Sequence, residues 1–261
     1  MPTPLRVRRE PPPFRRVEVI RTEPLTPHLL RVTLSGPELE GLDPGLPAAS
    51  VRLLLPHHGE LVVPAWNGNE FLCTDGARPA LRTLTPRRFD AERAELDVEV
   101  VLHGDGPMST WAAAVQPGDP AAVSGTGRGY TVDPATPAYL LVGDESALPA
   151  ISVLLEALPV EATVTVLAEV ARPDARFDLP THPGATVHWH DLAASAPGDA
   201  LVAAVRDAEV ALDARVWAAG EAAAVQRIRK HLFEERGLVR SQCTVRGYWK
   251  HGRVGDADDD P

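Results

Sequence analysis

Tyr139-Leu140-Leu141-Val142-Gly143-Asp144-Glu145-Ser146-Ala147-Leu148-Pro149-Ala150-Ile151 divides the chain in two. Its first four residues are a short apolar run ending at a glycine, the pattern of a buried strand. The period then changes: Leu148, Ile151, Leu154, Leu155 and Leu158 fall on one helical face. Ser146 is the expected N-cap of that helix. Pro149 falls in the first turn, where backbone N–H groups have no helical acceptor and its missing donor costs little. A strand passing through glycine into a helix opens an α/β unit, and the remaining chain repeats the alternation. Residues 163–170, 186–189 and 215–219 read as strands, the last ending at Gly220. Leu201, Val202 and Val205 suggest a short helix. Residues 221–236 form another, with Val225, Ile228 and Leu232 inward and Gly237 as its stop. A last strand covers 242–249. Alternation of this kind implies a parallel sheet covered on both faces.

Upstream the period is two. Leu30, Val32 and Leu34 alternate with polar residues, as do Leu96, Val98, Val100 and Leu102 around Asp97 and Glu99. Such alternation predicts half-buried antiparallel strands. Residues 52–55 are a further short strand, and Gly36-Pro37, Asp43-Pro44-Gly45 and Gly59 punctuate the runs. Between Pro56 and Pro79 no period emerges, which predicts a long loop. One helix, over 107–115, interrupts the β pattern. The boundary between the halves is expected in the proline-flanked stretch Asp133 to Pro137. The reading is thus an antiparallel β domain over 14–133 and a smaller α/β domain over 137–253. An acidic tail, 254–261, has the composition of a disordered segment.

Composition narrows the function. The chain has 261 residues, 44% of them hydrophobic, which suffices for one large or two small cores. A net charge of -10 disfavours nucleic acid or an anionic membrane surface as partner. The basic, proline-rich start, Met1 to Pro13, lacks the apolar run of a secretory signal. No stretch approaches the roughly 18 apolar residues of a membrane span. Two cysteines, Cys73 and Cys243, cannot build a zinc ribbon or an in-chain iron–sulfur cluster. A cytoplasmic protein, monomeric and with reduced thiols, is the expectation.

Four segments carry candidate chemistry. In Arg82-Thr83-Leu84-Thr85-Pro86-Arg87-Arg88 an arginine fork suits a pyrophosphate, and a threonine hydroxyl further along the strand suits the polar edge of a flavin ring. Alone, the segment reads more readily as a strand end with a solvated basic cluster. In His103-Gly104-Asp105-Gly106-Pro107-Met108-Ser109-Thr110-Trp111 a glycine turn leads into a helix whose N-terminus suits phosphate. Ser109 and Thr110 add hydroxyls, though an ordinary turn before a helix has the same form. Gly143 to Ala150 joins the first strand of the α/β half to its helix, where a pyrophosphate binds in open α/β sheets. It lacks Gly-x-Gly-x-x-Gly, and Asp144 and Glu145 repel phosphate unless they turn aside. Gly247-Tyr248-Trp249-Lys250-His251-Gly252-Arg253 sets aromatic and basic residues after the last strand. His188 and His190, with Asp191, share a strand but lack a further ligand, so no metal site is assigned. His57-His58 reads as loop, and Ser146 lies in no nucleophile elbow.

Together the four segments resemble the siderophore-interacting proteins, ferric-siderophore reductases of the ferredoxin-reductase-like superfamily. The resemblance runs from Phe14 to Arg253. The family pattern Arg-x-Tyr-Thr-x-Arg is met at Arg82, Thr83, Thr85 and Arg87. His-Gly…Gly-Pro…Trp is met at His103, Gly104, Gly106, Pro107 and Trp111. Gly-Asp-Glu-Thr-Ala-x-Pro-Ala-Ile is met from Gly143 to Ile151, with Ser146 for threonine. Trp-x-Ala-Gly-Glu is met at Trp217, Ala219, Gly220 and Glu221, and the Gly-Tyr-Trp ending at Gly247, Tyr248 and Trp249. Leu84 stands where the family has a tyrosine that packs on the flavin. Loss of that stacking is worth about 1 kcal/mol. Gly125-Thr126-Gly127 replaces a Gly-Pro-Arg-Gly-like turn, with Arg128 one position later in the arginine's role.

The resemblance implies an N-terminal antiparallel β-barrel that binds FAD and an α/β domain that binds NADH or NADPH. It implies FAD contacts from Arg82, Thr83, Leu84, Thr85, Val101, His103, Gly106, Met108, Ser109, Thr110 and Trp249. Nicotinamide-nucleotide contacts are implied for Gly143, Asp144, Glu145, Ser146, Gly220, Glu221 and Arg172. Arg172 and Arg176 follow the strand ending at Glu169, where a 2′-phosphate is read, and tilt the expectation to NADPH. Electrons pass from nicotinamide through flavin to a ferric siderophore. Hard oxygen chelators hold Fe(III) far better than Fe(II), so reduction loosens the iron. Arg246, Lys250 and Arg128 are the expected basic contacts for an anionic siderophore. No general acid or base is required, and none is assigned. The alternatives are a siderophore carrier without redox activity and a flavin reductase serving another acceptor.

Overall fold

A computed structural model of the chain describes residues 11–56, 60–73, 79–103 and 106–252. His57, His58, Gly104, Asp105, Arg253 and the acidic tail lie outside the described residues. The first half contains β1 (Arg15–Thr26), β2 (Leu29–Ser35), β3 (Val51–Leu54), β4 (Ala65–Trp66), β5 (Phe71–Leu72), β6 (Leu81–Leu84), β7 (Pro86–Asp90), β8 (Glu95–Val101), α1 (Pro107–Ala114) and β9 (Pro120–Ser124). Seven of these strands form one sheet in the order β6-β3-β9-β1-β2-β8-β7. Every neighbouring pair is antiparallel.

The seam of this sheet is at Thr85. β6 and β7 occupy opposite ends of the strand order, yet one residue joins them. The sheet must therefore curl until its edges approach, giving a half-barrel. The alternating residues point into it: Leu30, Val32, Leu34, Leu96, Val98 and Val100 share a core with Val17, Val19, Leu53 and Val123. Full burial of each such side chain contributes about 1.5–3 kcal/mol. The stretch between Pro56 and Pro79 is not wholly loop. Ala65 pairs with Leu72 and Trp66 with Phe71 in a two-residue ladder. Edge-on ring contacts, Trp66–Phe71 at 5.1 Å and Phe14–Phe71 at 5.0 Å, hold this hairpin. Two residues per strand are too few to display a period.

The second half contains β10 (Ala138–Asp144), α2 (Leu148–Ala157), β11 (Thr163–Val170), β12 (Ala185–Asp191), α3 (Asp199–Asp207), β13 (Arg215–Glu221), α4 (Ala222–Lys230) and β14 (Cys243–Trp249). The sheet order is β12-β11-β10-β13-β14, parallel throughout. One face, including Leu141, Val164, Val166 and Trp217, packs on α2. The other, including Leu140, Val142, Val216 and Ala218, packs on α3 and α4. Ser146 is not the cap expected of it. A short 3-10 turn, Glu145–Ala147, precedes α2, and Asp144 caps that turn by accepting the Ser146 N–H. The last helix also differs: beyond Lys230 it widens into a π turn, His231–Glu235. There His231 Nδ1 lies 2.8 Å from Glu235 Oε2, and Leu232 keeps its buried place.

The halves share contacts. Tyr130 and Ala48 pack into the α2-side core. The Tyr139 hydroxyl donates to Asp133 O (2.8 Å), and Arg215 pairs with Asp133 (3.3 Å).

Candidate functional site

β6 and α1 both rest on the half-barrel core, where Leu84, Met108 and Trp111 pack. Along β6, Thr83 is exposed, Arg82 half-buried and the seam residue Thr85 buried. Arg82 Nη1 donates to Leu81 O (2.6 Å). Leu84 spends part of its surface on the core beneath it.

The N-terminus of α1 is open. Its N-cap is Gly106, no side chain caps it, and Pro107 occupies the first turn. Thr110 N–H is bonded to Gly106 O (2.9 Å). The preceding N–H groups of Met108 and Ser109 lie in the first turn, where an α-helix supplies no acceptor. A Cβ built on Gly106 meets nothing within 4 Å. An uncapped helix start facing open space is suited to an anion. Thr110 and His103 are exposed beside it, and Val101 is half-buried at the end of β8. Ser109 serves another purpose: its hydroxyl accepts from His103 N–H (3.0 Å) and donates to His103 O (2.8 Å). It closes the turn from β8 into α1. The donor set of Arg82, two exposed threonine hydroxyls and an uncapped helix start fits the pyrophosphate of FAD.

The residues expected to contact the nucleotide, Arg172 apart, lie at the C-terminal ends of β10 and β13. There the strand order reverses, the position at which open α/β sheets bind ligands. Gly143 is required because a Cβ there would sit 2.5 Å from Ala147 Cβ. Both acidic side chains turn into the protein. Asp144 accepts from Ser146, Glu221 and the Trp249 indole. Glu145 Oε1 accepts from Ala171 N–H (2.6 Å). Burial pushes both carboxyls above their usual range, and these hydrogen bonds pull them back. Gly220 adopts φ 147°, and a Cβ there would meet Asp144 Oδ2 at 2.5 Å. Glu221 caps α4 by accepting from Ala224 N–H (2.8 Å). Trp249 brings the halves together: its ring centroid lies 6.5 Å from that of His103.

The basic candidates divide. Lys250 and Arg128 are exposed. Arg246 is engaged, donating to Arg128 O (2.9 Å) and Gly129 O (3.0 Å), which ties β14 to the end of the first half. Arg172 is exposed ahead of a short 3-10 turn. Arg176 is paired with Asp191 at 2.6 Å. A cleft of about 360 Å³ between β7 and α2 is lined by none of the expected site residues. Among the described residues, no group of three or more potential ligands is placed to hold a metal.

Glu169 was missed by the sequence reading. It is 3% exposed at the C-terminal end of β11. It accepts from Gly198 N–H (2.7 Å) and Leu201 N–H (3.3 Å), anchoring the start of α3 beside the switch point. Its only sequence signal is a carboxylate inside an apolar strand, a charge that must find donors.

Comparison with known proteins agrees with this geometry. Residues 18–129 match the siderophore-interacting FAD-binding domain, and residues 136–252 match the siderophore-interacting protein model. A siderophore utilization protein from T. fusca is 36% identical, with a TM-score of 0.84 over 95% of this chain and 97% of that one. The siderophore-interacting protein SipS from Aeromonas hydrophila is 30% identical, with a TM-score of 0.78 over 93% of each chain. The ferric vibriobactin reductase of Vibrio cholerae is 28% identical over 93% of this chain and 92% of that protein. At 14% identity and a TM-score of 0.66, the ferredoxin reductase in carbazole 1,9a-dioxygenase, matched over 90% of this chain and 69% of that one, shares the fold. With relatives of this identity aligned over nearly its whole length, the chain belongs to the siderophore-interacting protein family.

Proposed function

We propose that this protein is an FAD-dependent reductase that passes electrons from NAD(P)H to ferric siderophores and releases Fe(II). The observation that carries the reading is the convergence of two ligand-ready edges. The uncapped start of α1 and the exposed hydroxyls of β6 lie on the half-barrel side. The switch point of the parallel sheet lies on the other, and the His103–Trp249 contact joins them. The likeness to a ferric vibriobactin reductase supports the same reading.

In this account Arg82 and the first-turn N–H groups of α1 hold the FAD pyrophosphate. Thr83 and Thr110 donate hydroxyls. Leu84 and Met108 supply apolar surface, and Ser109 keeps the turn in shape. Bound there, FAD supplies a carrier that takes a hydride and gives up electrons singly. At the switch point Gly143 and Gly220 let the strand ends pack closely on Ala147 and Asp144, which shapes the edge a dinucleotide would meet. Glu145 leaves that surface less negative by facing Ala171 N–H. Exposed Arg172 favours a 2′-phosphate, hence NADPH over NADH. Lys250 and Arg128 present positive charge to an anionic ferric chelate, which an acidic protein needs locally. We place it in the cytoplasm, where a thiol such as that of Cys243 stays reduced.

Titration of purified protein with FAD, followed by anaerobic NADPH, tests this. Flavin absorbance should appear in the protein fraction and bleach on adding NADPH. A colourless protein that binds ferric siderophore supports the carrier alternative and overturns the reductase.

A further inference from the structure

Asp144 has no hydrogen-bonding capacity left for a ligand. A carboxylate offers about four lone-pair sites. Oδ1 takes the Ser146 backbone N–H at 3.0 Å and its hydroxyl at 2.5 Å. Oδ2 takes the Glu221 N–H and the Trp249 indole N–H, both at 2.8 Å. The residue is 8% exposed, and Gly220 backs directly onto Oδ2. The carboxylate at the expected phosphate site therefore serves the protein and not a nucleotide.

Two of the four donors belong to the turn that follows β10, and the third is the last residue of β13. The fourth belongs to β14, whose end is not core: Trp249 is 37% exposed. Its ring stands between the switch point and His103 on the turn into α1. A nicotinamide passing from the nucleotide subsite toward the flavin subsite meets this indole.

We infer that Asp144 is a positioning residue that latches Trp249, through the indole N–H, across the opening between the nucleotide and flavin subsites. This rests on the function proposed above. A hydrogen bond to a buried carboxylate is charge-assisted and stronger than a neutral one. Nicotinamide entry requires Trp249 to give up that bond, so the latch acts on nucleotide access.

Two variants and two readouts test it. Trp249→Phe keeps a ring and deletes the donor. Asp144→Asn keeps the size but leaves one acceptor oxygen for four donors, sets an NH2 group against two of them, and removes the charge that strengthens the Trp249 bond. In apoprotein carrying ¹⁵N-tryptophan, the Trp249 indole N–H should exchange slowly despite its exposure, and at least fivefold faster in Asp144→Asn. In FAD-loaded protein both variants should lower KM for NADPH three- to tenfold. The effect should fall on KM more than on kcat, with the double variant no different from either single one. An unprotected indole, additive KM changes or an unmoved KM in Trp249→Phe overturns the latch. Should Asp144→Asn fail to fold, wild-type exchange and Trp249→Phe still decide. Wild-type protein that binds no FAD overturns the proposed function and the latch with it. Normal flavin binding with an unmoved KM overturns the latch alone.

Discussion

Arg87 crosses from β7 to α2 and grips Glu156 with two parallel hydrogen bonds, Nη1 to Oε2 at 2.8 Å and Nη2 to Oε1 at 2.7 Å. Its Nε also lies 3.8 Å from the buried Glu99, which Arg31 holds at 2.6 Å. Arg87 belongs to the segment Arg82 to Arg88 in which flavin contacts were expected, yet its side chain works as a brace between the two halves. Because Glu156 is half exposed, the pair itself should be worth about 0.5–1 kcal/mol. A double-mutant cycle of Arg87→Met and Glu156→Gln in urea should return a coupling of that size. Arg87→Met alone should cost more, about 1–2 kcal/mol, because Glu99 loses one of its two cations. Fully additive effects would refute the brace.

Gly220 has no room for a side chain. With φ at 147° and Asp144 Oδ2 2.5 Å from any Cβ, Gly220→Ala must distort the turn or displace the carboxylate. A loss of about 1–3 kcal/mol is expected, read as a lowered Tm. An unchanged Tm would show that the β10–β13 junction tolerates movement.

Arg246 and Lys250 are neighbours in sequence with different expected effects. Arg246→Ala removes two bonds to backbone carbonyls and should lower stability by about 1–2 kcal/mol. Lys250→Ala should leave Tm unchanged and weaken ferric-siderophore binding in a salt-dependent way. Equal substrate effects with no loss of stability in either variant would contradict this division.

Leu84→Tyr should restore the aromatic that the family places on the flavin. About 1 kcal/mol of stacking corresponds to roughly fivefold tighter FAD binding. The new ring must leave the core surface that Leu84 covers. A weaker FAD Kd would mean that this surface matters more than stacking.

Burial pushes the Cys243 thiol up to about 11. At pH 8 roughly one molecule in a thousand then carries the thiolate, the form that reacts. Alkylation of Cys243 by iodoacetamide should therefore rise about tenfold per pH unit from 8 to 10. A rate that levels off below pH 9 would contradict the packing of β14.

What could be read in the sequence follows from scale. Strands such as β8 and β11 and helices such as α2 are long enough to display their period, and the glycines at 143, 220 and 237 fall within two residues of the ends of β10, β13 and the π turn. The pairing of β6 and β7 with different partners across the Thr85 seam was not legible, because register is a property of the whole sheet. Nor was the hairpin of β4 and β5, held by aromatic contacts over two residues per strand. At the site, the motifs do not give the directions of side chains. Ser109, Arg246 and Asp144 were read as ligand contacts, yet Ser109 bonds 6 residues away, Arg246 117 and 118 away, and Asp144 2, 77 and 105 away. A carboxylate facing phosphate and one facing four protein donors look the same in sequence.

The central claim is electron delivery to a ferric siderophore. Anaerobic mixing of the protein with FAD, NADPH or NADH, several ferric siderophores and a chromogenic ferrous trap measures it directly. Trapped Fe(II) should accumulate in proportion to protein, with two equivalents per nucleotide oxidised, and more readily with NADPH. Flavin that is reduced by nucleotide while no Fe(II) is trapped from any siderophore would contradict the account.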